Sequence, residues 1–289
     1  MATDLHNTNE VVEKVNRAYT PTYVPLFSRI FSKSVAYPAT IGKVQLKETQ
    51  VIGDATVQQV NAQDTEFKHA KAGDSSKTFN KYIEGVKFIA SGFQEQPQLQ
   101  GIANQILDQN LMKFDSDVFY GAPLKDGRLS NNGLYGSKDE NQVKLASQAM
   151  GANPTVDAWK EYLDAALREA GKELGTAPKI IVLMGQAASK IGKFVPNTAV
   201  SFLKALQDSY TADQQLTWLT APENLNSPDG IMIVTPSALT FRYVMLPRVY
   251  KQGYNDENEY TWMTILSGSS MVDIERRGGI VIKPATFTA

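Results

Sequence analysis

The stretch KTFNKYIEGVKFIASGFQEQPQLQGIANQILDQNLMKFDSDVFYG, residues 77–121, changes its hydrophobic period halfway along, and that change decides the fold. In the first half Phe79 and Ile83 fall on one alternation phase, Val86 and Phe88 on the other. Alternation of this kind predicts strand, and the phase change near Gly85 predicts a bulge or bend. In the second half Leu99, Ile102, Ile106, Leu107, Leu111, Phe114 and Val118 recur at i, i+3, i+4 and i+7, which predicts an amphipathic helix over 97–119. Pro97 suits its first position, and about 20 residues make a rod about 30 Å long. Such a helix needs a sheet to cover its apolar face.

Working toward the N-terminus, residues 41–90 read as β, with Val44, Leu46, Val51, Ile52, Val57 and Val60 spread among polar residues. KHAKAGDSSK (68–77) reads as the polar tip of a protruding hairpin. A hairpin with half-polar strands buries little by itself. Upstream, NEVVEKVNRAY (9–19) predicts a short helix, and then Pro21, Pro25 and Pro38 interrupt any regular element. Tyr19, Tyr23, Phe27, Phe31 and Tyr37 recur between them, so the segment reads as an extended arm lying on a surface, its own or a neighbour's. Ordering each backbone residue costs about 1–2 kcal/mol, so an arm and hairpin that bury nothing in a monomer favour an oligomer whose copies lie across one another.

Toward the C-terminus comes a glycine-bearing loop, then a second amphipathic helix over about 155–174, with Val156, Trp159, Leu163, Leu167, Ala170 and Leu174 inward and Gly175 as its stop. A buried strand (179–184), helices near 186–194 and 198–208, and strands at 216–219 and 230–235 complete an α/β centre. The tail, 241–289, reads as mostly β and is expected to return to the long helix. The fold class is α+β.

Catalytic chemistry finds no footing in the residues. Cysteine is absent, which removes thiolate chemistry and cysteine-based zinc sites, and 29 basic residues against 30 acidic ones argue against a protein that coats nucleic acid by charge. No apolar run reaches the roughly 18–20 residues of a membrane helix. His6 and His69 are the only histidines and sit in a polar terminus and a loop tip. Asp115 and Asp117 are two apart on a helix and point about 200° apart, so they cannot share a ligand. NDENE (255–259) lacks calcium-loop spacing. Arg276 and Arg277 flank what reads as a hairpin turn. NNGLYGS (131–137), with Ser137 followed by Lys138, matches neither phosphate-loop pattern, and it follows a helix end, where the dipole repels phosphate. No catalytic, cofactor-binding or metal residue is assigned.

Three stretches resemble the major capsid proteins of tailed bacteriophages, the HK97-like shell fold: residues 77–121, NNGLYGS, and MVDIERRGGIVIKPATF (271–287) with Arg277, Gly278, Gly279 and Pro284. The resemblance implies an N-terminal arm (1–40), an extended β-hairpin loop (41–90), a peripheral domain with a long spine helix (91–140), an axial α/β domain (141–240) and strands returning to the peripheral domain (241–289). It implies a virion protein that assembles with itself as pentamers and hexamers into an icosahedral shell around double-stranded DNA in the host cytoplasm. A scaffolding protein, a portal and a decoration protein are its implied partners. A chain starting at Met1 with a short arm leads us to expect that the scaffold is a separate protein. Lys68 and Lys71 lie near the expected loop tip, with no matched crosslinking partner. An encapsulin-like compartment shell, which resembles the same fold, and an enzyme built on 140–240 stand as alternatives.

Overall fold

A computed structural model of the chain describes residues 23–38, 42–52, 71–81, 83–91, 96–122, 132–136, 139–210, 215–255 and 260–288. In chain order the first elements are α1 (Phe27–Ile30), β1 (Ser34–Ala36), β2 (Gly42–Ile52), β3 (Lys71–Lys81), β4 (Ile83–Ser91) and the long helix α2 (Gln96–Tyr120). Then follow β5 (Gln142–Lys144), β6 (Gln148–Ala149), α3 (Val156–Leu174), β7 (Lys179–Met184), α4 (Gln186–Ile191), α5 (Phe202–Ser209), β8 (Leu216–Thr220) and β9 (Gly230–Val234). The chain closes with β10 (Leu239–Tyr243), β11 (Arg248–Asn255), β12 (Tyr260–Gly268), β13 (Ser270–Ile274) and β14 (Ile280–Thr286).

β7 (KIIVLM) and β9 (GIMIV) carry apolar residues on both alternation phases, the pattern of strands covered on both faces, and every residue of each is buried. They sit in the middle of a sheet ordered β5–β14–β9–β7–β8, with β6 also pairing β14. One face presents Ile180, Val182, Met232, Val234, Ile280 and Ile282 to Phe114, Val118 and Phe119 of α2 and to Phe27 and Ile30 of α1. The other presents Ile181, Leu183, Ile231, Ile233 and Val281 to Trp159, Tyr162 and Leu163 of α3 and to the short helices α4 and α5. Thr155 caps α3 by accepting from the Ala158 amide at 3.2 Å, and Gly175 ends it at φ 52°. Full burial of each large side chain in these layers contributes roughly 1.5–3 kcal/mol.

The remaining strands form smaller sheets. β1, β10 and β13 make one, β11, β12 and β4 a second, and β2 and β3 a two-stranded ladder. α2 lies against β11, β12 and β13. The aromatic arm packs on its own chain from residue 23 onward: Phe27 meets Phe114 edge-on at 5.2 Å, and Phe31 stacks on Phe241 at 4.7 Å. The short helix expected over 9–19 lies outside the described residues. Among those described, no helix is long and apolar enough to cross a membrane.

Four expectations change. α2 has 25 residues, about 38 Å, and begins one residue before Pro97. Residues 71–77, read as a turn-rich tip, are strand: Lys71 faces Ile52 and Lys77 faces Leu46 in the β2–β3 ladder. The pattern breaks between β3, which ends at Lys81, and β4, which begins at Ile83. Gly85 instead stands in a regular β4–β12 ladder opposite Leu266, where a Cβ would come within 2.3 Å of the Ile265 carbonyl oxygen. Finally, β14 reaches the long helix from the central sheet and not from a sheet of tail strands alone, with Ile280 and Ile282 in the cluster that holds Phe114, Val118 and Phe119 of α2. It inserts between β5 and β9 in the central sheet, because its Ile280-Val281-Ile282 run is apolar on both phases and needs cover on both faces.

Candidate functional site

Asp115 sits on the face of α2 that meets the arm and is 1% exposed. Its Oδ2 accepts from the Leu26 amide at 2.8 Å and from the Tyr23 hydroxyl at 2.5 Å, and its Oδ1 accepts from the Phe27 amide at 3.0 Å. A single buried carboxylate therefore serves the free amides at the start of α1 and fixes the arm on α2. Burial pushes the Asp115 carboxyl above the ordinary carboxylate range, against the pull of those three donors. Burial, with Asp115 beside it, also pushes the Tyr23 phenol up. Asp117, on the other side of the helix, pairs with Lys113 at 3.0 Å, and Lys113 also reaches Glu84 of β4 at 2.5 Å. The two aspartates indeed share nothing.

A second constellation roots the β2–β3 ladder. Lys77 Nζ lies 2.9 Å from Asp139 and 3.0 Å from Asp273, and donates to the Ile274 carbonyl at 2.8 Å. Arg242 forks onto Asp273 through Nε at 3.0 Å and Nη2 at 2.8 Å, and its Nη1 donates to the Tyr37 hydroxyl at 3.0 Å. Asp273 is wholly buried. Burial pulls the Lys77 ammonium toward neutrality, but the hydrogen bonds and charges of Asp139 and Asp273 outweigh it, and its pKa rises. Phe79, Val244, Met245 and Met271 form an apolar cluster at the same root, with Tyr37, Val44, Leu46, Ile83 and Leu266 against it. The network joins the arm, the hairpin, the segment after the glycine loop, β10 and β13.

The glycine loop has a third geometry. α2 ends at Gly121, φ 85°. The chain then comes back onto that end: Leu134 N donates to Val118 O at 2.9 Å, and Tyr135 N to Phe119 O at 2.7 Å. A Cβ at Gly133 would lie 2.3 Å from the Gly121 nitrogen, and one at Gly136 only 1.9 Å from the Tyr120 oxygen. The glycines let backbone reach backbone, and the loop's amides are spent on the helix's free carbonyls rather than turned toward an anion.

The other singled-out residues scatter. His6, His69, Lys68, Ser137, Lys138 and residues 256–259 lie outside the described residues. Lys71 opens β3. Arg276 and Arg277 are exposed, but their turn joins no hairpin: β13 pairs with β10, and β14 with β9 and β5, so the turn carries the chain from one sheet to another. Sequence reading missed Lys77, Asp139, Arg242 and Asp273. The one local signal was Asp273 amid the apolar MVDI run, a charge where alternation expects none.

No family model matches the chain, and no curated protein sequence does. Solved structures do. The capsid of Myoviridae phage XM1 is 12% identical at TM-score 0.60, covering 94% of this chain and 95% of its own. A structure from Mycobacterium phage Bobi is 10% identical at TM-score 0.62, covering 94% and 93%. The virus-like particle from Pyrococcus furiosus is 10% identical at TM-score 0.55, covering 95% and 97%. The mixed α/β core, the long helix and the paired hairpin strands together make this chain one with the HK97-like capsid fold.

Proposed function

We propose that the chain is the major subunit of an icosahedral shell that encloses double-stranded DNA, built from its own pentamers and hexamers. The observation that carries this reading is the breadth of the likeness, 94% of this chain against 95% of the phage XM1 capsid chain, which leaves little of either unaccounted for. In this reading residues 1–40 form the arm, 41–90 the extended loop, 91–140 the peripheral domain with its spine helix, 141–240 the axial domain, and 241–289 strands returning to the peripheral domain. The chain would work without catalysis, with a separate scaffolding protein, a portal and a decoration protein as partners in the host cytoplasm. Heterologous contacts close into rings only when their angles suit, and anchored arms let one sequence meet several environments.

Expression with a scaffold partner, followed by electron microscopy, tests it. Closed shells are expected, and a protein that stays monomeric under every condition overturns the reading. The Pyrococcus furiosus virus-like particle supports a second reading, a cellular compartment shell of the encapsulin kind. Nuclease-protected DNA inside the purified particles favours the first, and a co-purified cargo enzyme the second.

A further inference from the structure

The sheet of β11, β12 and β4 has two unlike faces. Met263 and Ile265 are buried on the side of the sheet from which Glu84 reaches Lys113 of α2. The opposite face carries the alternate residues, and its rows follow from the register. Lys87, Thr264 and Lys251 form one row. Gly85, Leu266 and Arg248 form the next, and Trp262 stands opposite Gly253 on the other side of the first. Residues directly opposite one another in such a ladder project to one side. Lys87, Arg248 and Lys251 therefore share this face, and all three are exposed. Among the described residues no carboxylate lies within ion-pair distance of them. Glu84, the acidic residue described on β4, turns the other way, toward Lys113. A chain with net charge −1 thus gathers three exposed cations on one face of this sheet, with no ion-pair partner among the described residues.

The surface is also ordered. A Cβ at Gly253 would lie 2.9 Å from the Trp262 ring, so the indole rests on the strand where that glycine leaves room. Lys87 Nζ sits 5.5 Å from the indole centroid, and Lys251 Nζ 5.4 Å from the Tyr250 ring. Ring faces attract cations and hold them in place without neutralising them. Lysine on an edge strand commonly guards against strand addition. That role does not call for aromatic rings that fix the ammonium groups, nor for a third cation set in the same face.

We propose that this face contacts the phosphate backbone of duplex DNA, with Lys87, Arg248 and Lys251 each meeting a phosphate and Trp262 positioning Lys87. The proposal rests on the DNA-enclosing reading above for its biological setting but not for its test. Fluorescence anisotropy of a labelled random-sequence duplex with the unassembled full chain, titrated across salt, reads it out. Each phosphate neutralised contributes about 0.9 to the slope of log K against log salt, so Lys87→Gln/Arg248→Gln/Lys251→Gln should lower the slope by about 2.7. Three phosphate contacts alone weaken binding about 40-fold between about 50 and about 200 mM salt. Trp262→Leu should weaken binding with little change in slope. A control variant, Lys160→Gln/Lys172→Gln/Lys204→Gln, should bind as wild type does. Circular dichroism checks that each variant is folded, and the single substitution Lys251→Gln, with an expected slope change of about 0.9, serves if the triple is not. The proposal is overturned if wild type shows no salt-dependent duplex binding, if the triple and control variants lose slope equally, or if the triple variant loses only self-association. A wild type that forms no shells yet binds duplex through these three residues would sink the shell reading and leave this one standing.

Discussion

Replacing Gly136 with alanine tests the account of the glycine loop most directly. The added Cβ would stand 1.9 Å from the Tyr120 oxygen and 2.8 Å from its carbonyl carbon, both backbone atoms that no rotamer can move. Restoring an ordinary carbon–oxygen contact of about 3.4 Å requires the loop to retreat by about 1.5 Å. That retreat stretches the Leu134–Val118 and Tyr135–Phe119 hydrogen bonds, now 2.9 and 2.7 Å, beyond hydrogen-bonding distance. It also lifts Leu134, 1% exposed, out of the core, and parts Tyr135 from Phe119, whose rings stack at 5.6 Å. Each unmade bond at a buried group costs about 1–3 kcal/mol, and water at the helix end recovers some of it, so a loss of about 2–4 kcal/mol is expected. Urea unfolding of the unassembled chain, followed by circular dichroism, measures it as a lower midpoint at unchanged slope. Gly171→Ala provides the opposite sign. Gly171 lies inside α3 with nothing within 4 Å of its added Cβ, so that variant should gain about 0.5–1 kcal/mol. A Gly136→Ala protein within about 0.5 kcal/mol of wild type, the range of an ordinary surface change, would refute the close-approach explanation.

Lys77→Met should destabilise by about 3–5 kcal/mol, since it leaves Asp139 and Asp273 buried with less compensation, and limited proteolysis should show earlier cleavage in the hairpin. Asp117 has its pKa raised by burial, against the pull of Lys113, so the folded state binds its proton more tightly than the unfolded state does. Its stabilising contribution is then full below the ordinary carboxylate pKa and lost as pH rises through the raised value, so urea midpoints should fall for wild type relative to Asp117→Asn from about pH 4 upward. A difference that grows in the other direction contradicts the assignment. Phe194, 68% exposed, borders a cavity of about 250 Å³ walled by Pro154, Val156 and Phe202. Under the shell reading, Phe194→Ser should leave monomer stability within about 0.5 kcal/mol and reduce the yield of closed particles seen by electron microscopy.

The elements legible in the sequence are those whose burial is imposed locally. The apolar run at 179–184 gives β7 with its bounds intact, and the apolar stripe from Leu99 to Val118 gives α2. Residues 71–77 were not legible, and the reason is physical. A two-stranded ladder has no face that must be buried along its length, so KAGDSSK need not alternate to be a strand, and polar, glycine-bearing sequence reads as turn. Asp115 was legible as a helical aspartate but not as an anchor. Its partners lie 88 to 92 residues away, and nothing in the local pattern of Tyr23, Leu26 and Phe27 names the acceptor. β14 was legible as a strand but not as a member of the central sheet, because its partners β5 and β9 lie far from it in sequence.

The placement of β14 bears on how the α/β centre and the long helix hold together. Had it joined another sheet, β7 and β9 would still meet α2 through Ile180, Val182, Met232 and Val234, but Ile280 and Ile282 would be missing from that contact. Instead the last strand runs antiparallel to β9, with Ile280 and Ile282 facing the helix side and Val281 facing α3. One sheet therefore supplies both cores, and a tilt between centre and helix would have to shear a close-packed layer. The hairpin is treated differently. β2 and β3 pair with each other and, among the described residues, with no third strand, and their buried and half-buried apolar side chains, Phe79, Val44 and Leu46, gather at the root. A ribbon of this kind is marginal alone, so its direction is set at the root, where Lys77 meets Asp139 and Asp273. Under the shell reading, a ribbon directed from its root suits a subunit that must repeat one shape while meeting neighbours at more than one angle.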